Sequence, residues 1–462
     1  MLAILKDTSI YAIGDILTKG ISFLAIVFYA HFLSQSDMGA YGYLLVIVGF
    51  VNTFLILGMD NAYSRYFFEY KSHYDRQVLT STLFLFLILW IICILLLPIY
   101  FSSSLSYFIF ETSTYSQAFF FSLLSLPLKL ISTMSNQALR NQFKTKLYVV
   151  LNFITAFITV SGAILLLKYT SFGIGSIFMA IIIADVCVLP FRFFAIKEMF
   201  IKKIDFTLIK KILAYGIPFL PASVAYWIFS SADRVMLESM SSLESVGTYT
   251  VAVTLSAVMS IIAGAIGQAW SPHAVKAYEE DKERARELYR RFFLVLVSLA
   301  LLIIFSISML GKEIITLVFP AEYSNIFYPM LLLLSGVGFK ITSQVTAIGI
   351  SLAKKTIYLV YITFFVALVN IGLNYILIPI YAEVGASVAT MVSYMLLTFI
   401  YTLISQKLFY INYNFKFIVL ALFLLIIILI LAQLNVFVRF SIFGIVLISI
   451  ISKKNKIMEF VR

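Results

Sequence analysis

The residues of this chain whose types could do chemistry are three lysines and three aspartates set among apolar neighbours. Lys129 stands in "LPLKLIST", residues 126–133, Lys340 opens "KITSQ", and Lys19 lies in the first apolar segment, while Asp15, Asp185 and Asp233 are the acidic counterparts. An ammonium group held away from water demands an anion, so the lysines are candidate groups for binding an anionic load. A carboxylate in the same surroundings is a candidate for carrying a coupling ion. No P-loop, no HExxH and no metal-spaced cluster of His, Cys, Asp or Glu accompanies them. No catalytic residue, metal or cofactor is therefore expected, and ATP hydrolysis is not the expected drive.

These residues need elements to hold them, and the composition says what kind. The 462 residues are 62% hydrophobic and only 12% charged, with a mean hydropathy of +1.02. Water-soluble domains do not have that composition. Apolar runs long enough to cross a hydrocarbon core of about 30 Å number about 14. They cover 8–33, 41–59, 78–101, 115–133, 147–168, 172–194 and 212–237. The rest cover 246–269, 292–310, 328–350, 357–378, 384–404, 417–434 and 436–451. The net charge of +12 does not point to nucleic acid, because Lys and Arg collect on alternate loops. With the N-terminus in the cytoplasm, roughly 27 of the 34 basic residues fall inside, including a cluster from Arg192 to Lys211, against roughly four outside. Both termini are thus expected in the cytoplasm. The first apolar segment has no small-residue cleavage site and carries Asp15 and Lys19, so it reads as a retained helix. Cys93 and Cys187 read as buried free thiols.

The three remaining lysines, Lys19, Lys129 and Lys340, all fall near the middle of a span. Each would cost about 2.5–3.5 kcal/mol facing lipid at that depth, so they are expected to face protein or water. Ser122, Ser125, Ser132 and Asn136 recur with Lys129 at three- and four-residue spacing and form one polar stripe. Pro127 breaks the backbone ladder beside it, so the segment reads as a cavity wall. On the first span Tyr11, Asp15, Lys19 and Ser22 share a face, so Asp15 is placed either to neutralise Lys19 or to line the cavity with it.

Sliding the chain by about 210 residues exposes an internal repeat. "SQSDMGAY" at 34–41 meets "SLESVGTY" at 242–249, "KTKL" meets "KKTI" at an inner turn, and "KLIST" meets "KITSQ", which makes Lys340 the repeat mate of Lys129 and adds Ser343 and Gln344 to the candidate lining. The expected fold is an all-α polytopic membrane protein with two pseudo-symmetric six-helix lobes and two appended helices. The lobes are 1–196 and 212–404, joined by a basic amphipathic linker at 197–211 that either turns Phe200, Ile204 and Leu208 to lipid or is simply solvated, with 405–462 holding the last two helices and a basic tail. "HAVKAYEEDKERARELYRRF" from His273 reads as a cytoplasmic helical extension into the ninth span. Tyr226 and Trp227, behind Pro218 and Pro221, are placed either to stack on sugar rings or to pack between helices.

The whole chain also resembles the polysaccharide repeat-unit flippases of the multidrug/oligosaccharidyl-lipid/polysaccharide exporter superfamily. The likeness rests on "FLSQSDMGAYGYL", "GIPFLPASVAYWIFSSADRVMLESMSSLESVGTYTVA", "AWSP" and "NIGLNYILIPIYAEVGASVATMVSY", the last with Ala382 where that family usually has Gly. The resemblance implies a bacterial inner-membrane protein moving an undecaprenyl-pyrophosphate-linked oligosaccharide to the outer leaflet, and with no P-loop in the chain a proton or sodium gradient is the expected drive. It also implies a polysaccharide polymerase as a further partner. Lys19, Lys129 and Lys340 would then attract the pyrophosphate, with Asp15, Ser125, Ser132, Tyr226, Asp233, Ser343 and Gln344 lining the cavity and Asp185 as the coupling carboxylate. A drug or cation antiporter of the same superfamily is the alternative, for which a carboxylate-dominated cavity is expected. A membrane glycan polymerase is a second alternative, and it would need a longer outer loop than any here.

The charge pattern generates a topology test. In a background lacking Cys93 and Cys187, single cysteines at Ser103, Ser242 or Ser324 should label from outside and those at Ser72, Ser271 or Ser351 only after permeabilisation. The reverse pattern at any of these sites would sink the helix count.

Overall fold

In the computed structural model, residues 2–452 are described, and the chain is helical nearly throughout. The first helices are α1 (Leu2–Ala30), α2 (Gln35–Ile56), α3 (Met59–Glu69), α4 (His73–Tyr100), α5 (Ser102–Phe110), α6 (Ser116–Asn141), α7 (Thr145–Tyr169) and α8 (Gly175–Ile196). Next come α9 (Phe206–Gly216), α10 (Leu220–Met240), α11 (Leu243–Glu280) and α12 (Lys282–Val318). The chain continues with α13 (Phe327–Thr346), α14 (Ile348–Leu352), α15 (Ile357–Leu408), α16 (Phe415–Leu431) and α17 (Val436–Ser452). Among the described residues ten helices are long and apolar enough to cross a membrane, with three shorter apolar ones at Ile16–Ala30, Phe415–Leu431 and Val436–Val446. Each expected span overlaps helix, though 212–237 is divided between α9 and α10 and 328–350 between α13 and α14.

One helix carries two spans. α15 has 52 residues, far more than a single crossing needs, and its helical dihedrals fail at Ala382 (φ 45°, ψ −126°). Asn370 Nδ2 donates to Ser393 Oγ at 3.1 Å, and the hydroxyls of Thr363 and Tyr401 meet at 2.7 Å. Both pairs are centred on Ala382 to within a residue, so α15 is an antiparallel hairpin with Ala382 at its tip.

The chain divides into two compact units, the first running to Glu238 with Ser242–Gly247 added, the second comprising Ser239–Ser241 and everything from Thr248. The seventh span, α9 and α10, packs within the first unit. There α6 is central, packed by α2, α3, α4, α5, α7 and α8. In the second unit α13 packs on α12, α14 and α15, and the appended α16 and α17 both pack on α12. Arg439 of α17 is 2% exposed, donates to the Met309 carbonyl at 3.1 Å and pairs with Glu313 of α12, which pins the last helix.

Matching positions of the two repeats use matching local devices. Ser34 caps α2 by accepting from the Asp37 N–H at 3.1 Å, and Ser242 caps α11 by accepting from the Ser245 N–H at 3.2 Å. Within the first unit these two helix starts cross closely: a Cβ on Gly39 would stand 1.8 Å from the Leu243 carbonyl oxygen, and one on Gly247 would stand 2.1 Å from that of Gln35. Only glycine fits at either place, which accounts for the shared Gly in the two octets. At the inner turns Phe143 (φ 55°) and Lys354 (φ 57°) both take the left-handed conformation. Around each the same bonds close the helix end, Lys144 N–H to the Leu139 carbonyl and Lys355 N–H to the Ile350 carbonyl, both at 3.0 Å.

Several sequence expectations change. The linker's backbone turns to protein: a short turn at Lys197–Met199 leads into extended chain whose Ile201 and Asp205 N–H groups donate to Ser81 and Thr82 in the first half of α4. Phe200 packs on Phe84 and Phe193, and Leu208 is buried, because the hydroxyls on α4 offer the linker backbone partners that lipid lacks. The charged stretch after His273 is broken at Asp281, which caps α12 by accepting from the Glu283 and Arg284 N–H groups. Cys93 and Cys187 are free but lie on exposed helix faces rather than buried ones.

The Ala382 tip yields a stability prediction. Backbone in this region costs a residue with a Cβ about 1–3 kcal/mol, so Ala382→Gly should raise the thermal midpoint in detergent and Ala382→Val should lower it. An unchanged or lowered midpoint for Ala382→Gly would show that the hairpin tip carries no strain.

Candidate functional site

Lys129 and Lys340 occupy the same position in the two repeats, on the most heavily buried of the ten long spans. In α6 61% of the apolar window is buried, and in the span containing α13 the figure is 72%. Leu126 and Leu130 on either side of Lys129 are fully buried, yet Lys129 itself is exposed, and so is Lys340. Neither makes an ion pair among the described residues. Lys340 Nζ lies 5.0 Å above the Tyr394 ring, a cation–π contact that leaves its hydrogen-bond donors available. Lys19 is also exposed, and the Asp15 side chain lies outside the described residues.

Beneath Lys129 the first unit holds a buried polar network. Asp185 of α8 is 4% exposed, accepts from Ser132 Oγ of α6 at 2.7 Å, and forms an ion pair with Arg192 at 3.3 Å. Arg192 is itself buried and donates to Asn152 Oδ1 at 3.1 Å and Thr155 Oγ1 at 2.9 Å, both on α7. Asn136 of α6 also donates to Asn152, at 2.8 Å. Three helices are thus knit together by one carboxylate and one guanidinium. Asp185 interacts electrostatically with Lys129, but its hydrogen bonds go to Ser132 and Arg192. The charge tally places Arg192 in the cytoplasmic cluster, and the structure instead buries it. Its spacing of seven residues from Asp185, two helical turns on one face, is the signal that could have found the pair.

The other candidates divide by what their polar atoms do. Ser125 is buried and spends its hydroxyl on the Ser122 carbonyl at 2.7 Å. Ser343 bonds the Lys340 carbonyl at 2.6 Å, and Gln344 donates to the Ala263 carbonyl of α11 at 3.2 Å. Asp233 is buried at the outer part of α10 and accepts from the Arg234 N–H at 2.9 Å. Tyr226 is 65% exposed and lines a cleft of about 470 Å³ formed by α2, α3 and α10, whereas Trp227 packs at 4.6 Å on Phe50 and donates to the Val46 carbonyl at 3.0 Å.

A duplicated bundle of apolar helices with accessible cations on its most buried spans is the architecture of a membrane transporter. The sequence pattern of the polysaccharide biosynthesis protein family matches residues 4–278, and the MatE pattern matches residues 218–376. The chain belongs to the polysaccharide biosynthesis protein family and, with ten helices among the described residues long and apolar enough to cross a membrane, is a multi-pass membrane protein. A protein of the Lsg locus of Haemophilus influenzae is 22% identical over 342 residues, spanning 72% of this chain and 80% of that protein. The fold is similar to that of lipid II flippase MurJ in an inward closed conformation, with a TM-score of 0.75 at 16% identity over 97% of this chain and 99% of that one. It is also similar to an inward-facing multidrug resistance MATE family transporter, with a TM-score of 0.67 at 14% identity over 84% of this chain and 94% of that one.

The network predicts an asymmetric mutational response. Arg192→Met would leave Asp185 buried without its cation and should cost about 3–5 kcal/mol, read as a lower thermal midpoint in detergent. Adding Asp185→Asn should restore much of the loss. A single variant as stable as the parent would mean that the pair does not hold α6, α7 and α8 together.

Proposed function

We propose that this chain is a flippase that carries an undecaprenyl-pyrophosphate-linked oligosaccharide repeat unit from the cytoplasmic to the outer leaflet for surface polysaccharide synthesis. The observation that carries the reading is the pair Lys129 and Lys340: equivalent in the two repeats, exposed, and in no direct ion pair among the described residues, with Asp185 near Lys129 already bonded to Arg192 and Ser132. Lipid would penalise both, so water or an anion must solvate them. A pyrophosphate supplies the anion, and at an effective dielectric near 20 one charge pair at about 4 Å is worth about 4 kcal/mol before desolvation is subtracted. Each of these lysines, and Lys19, would offer such a headgroup a charge partner weak enough not to trap it. The polyprenyl tail can stay in the lipid throughout. The antiporter alternative calls for unpaired carboxylates, and Asp185 is taken by Arg192.

A proton or sodium gradient is the proposed drive, with Asp185 as the coupling carboxylate. Charge loss at Asp185 would free Arg192 and loosen the contacts among α6, α7 and α8, which connects ion binding to helix movement. Ser132 would follow Asp185, and Tyr226, Asp233, Ser343 and Gln344 remain the proposed polar lining.

Lys129→Ala or Lys340→Ala should abolish transport in vesicles while the protein still reaches the membrane, and Lys→Arg should keep part of it because the charge stays. Normal export by a well-expressed Lys129→Ala/Lys340→Ala double variant would remove the cationic mechanism. In the same vesicles, collapsing both proton and sodium gradients should stop wild-type transport, and continued transport would remove the coupling.

A further inference from the structure

We propose that the cleft formed by α2, α3 and α10 in the first unit is a binding site for the neutral sugar part of the cargo. The idea rests on the lipid-linked glycan reading above and adds a second place of recognition to the cationic one. Its volume of about 470 Å³ falls within the roughly 300–1,000 Å³ of small-ligand clefts. The lining is the notable point: Asn52, Asn61, Thr53, Ser223, Tyr226 and Trp227 contribute to it, and no charged side chain does. A phosphate site would need cations, and a site for an acyl chain would be apolar throughout. Amides and hydroxyls beside aromatic rings match a sugar, whose hydroxyls both donate and accept and whose C–H faces pack on rings.

Two features make the cleft a built site. Trp227 is fixed as its floor, with the indole N–H on the Val46 carbonyl and the ring against Phe50, so little ordering remains for a ligand to impose. The side chains of Asn52 and Ser223 are half-buried, and together with the Tyr226 hydroxyl they make no hydrogen bond among the described residues. Thr53 and Ser230, by contrast, are already bonded to the Gly49 and Trp227 carbonyls, and Asn61 Nδ2 donates to Asp60 at 3.4 Å, so the polar side chains with no bond spent are those three. The lining residues come from the late part of α2, the start of α3 and the early part of α10, which the charge pattern puts in the cytoplasmic half of the membrane. A glycan made in the cytoplasm would meet this surface on loading.

The test separates sugar from headgroup by using undecaprenyl pyrophosphate, which has no sugar, as a binding probe for the full chain in nanodiscs, with surface glycan in the native cell as the transport readout. Ser223→Trp fills the cleft, and Asn52→Ala/Ser223→Ala removes two of its three unspent polar groups with less risk to folding. Either variant, present in the membrane at the parent level, should bind the sugar-free probe within about twofold of the parent while export falls by about tenfold or more. Should Ser223→Trp fail to insert, the double alanine variant decides. Export at the parent level by a well-inserted variant overturns the proposal, as does loss of probe binding in the double alanine variant, which would make the cleft a headgroup or scaffold element. If the parent itself does not bind the probe, the anionic-headgroup reading fails, while export loss in the variants would still support a sugar site here.

Discussion

A positive charge in the middle of a membrane span is the constraint from which the rest of this structure follows, because the bilayer core offers nothing to solvate it. The chain meets the constraint in two ways. Nearer the span ends, the two fully buried arginines among the described residues are each given a carboxylate: Arg192 has Asp185, and Arg439 has Glu313. Its midspan lysines Lys129 and Lys340 are given accessible surface instead. The division suits the side chains. A guanidinium is a planar fork of five donors that can be fixed by several acceptors at once, as Asp185, Asn152 and Thr155 fix Arg192. An ammonium on a flexible stem is a mobile point charge, suited to a partner that arrives and departs.

Placing those lysines requires helices that begin and end at reproducible points. The repeat supplies this through local chemistry rather than overall likeness. A serine hydroxyl starts α2 and α11, a left-handed residue ends α6 and α14, and a glycine lets each outer helix start pass close to the other. Each device fixes a terminus to within a residue, and a residue matters because a one-position shift turns a helix face by about 100° and would carry Lys129 from open space into packed leucines. The pinned position of Lys129 thus depends on the Phe143 turn and the Ser132–Asp185 bond as much as on its own neighbours.

Much of this was legible in the sequence, for physical reasons that also mark where legibility ended. Apolar length and alternating loop charge report on the bilayer directly, so the spans and the repeat could be read from residue types alone. The Arg192–Asp185 pair could not, because counting charge by loop assigns a residue near a helix end to water, whereas Arg192 turns inward to α7. The break at Asp281 was hidden by favourable i, i+4 charge spacing on both sides of it. The α2/α10 cleft was half visible, since Tyr226 and Trp227 stood out as aromatic neighbours. That Asn52 faces the same space depends on tertiary packing across some 170 residues of chain, which spacing within one helix does not encode. Ala382 was visible only as a departure from a familiar pattern, and its positive φ supplies the reason a glycine is usual there.

The central claim is that the cargo is an anionic lipid carrying a glycan. Mass spectrometry of lipid extracts from cells depleted of this protein tests it most directly. The account predicts that an undecaprenyl-pyrophosphate-linked oligosaccharide accumulates as the surface polysaccharide declines. Unchanged lipid-linked sugars together with normal surface polysaccharide would contradict it.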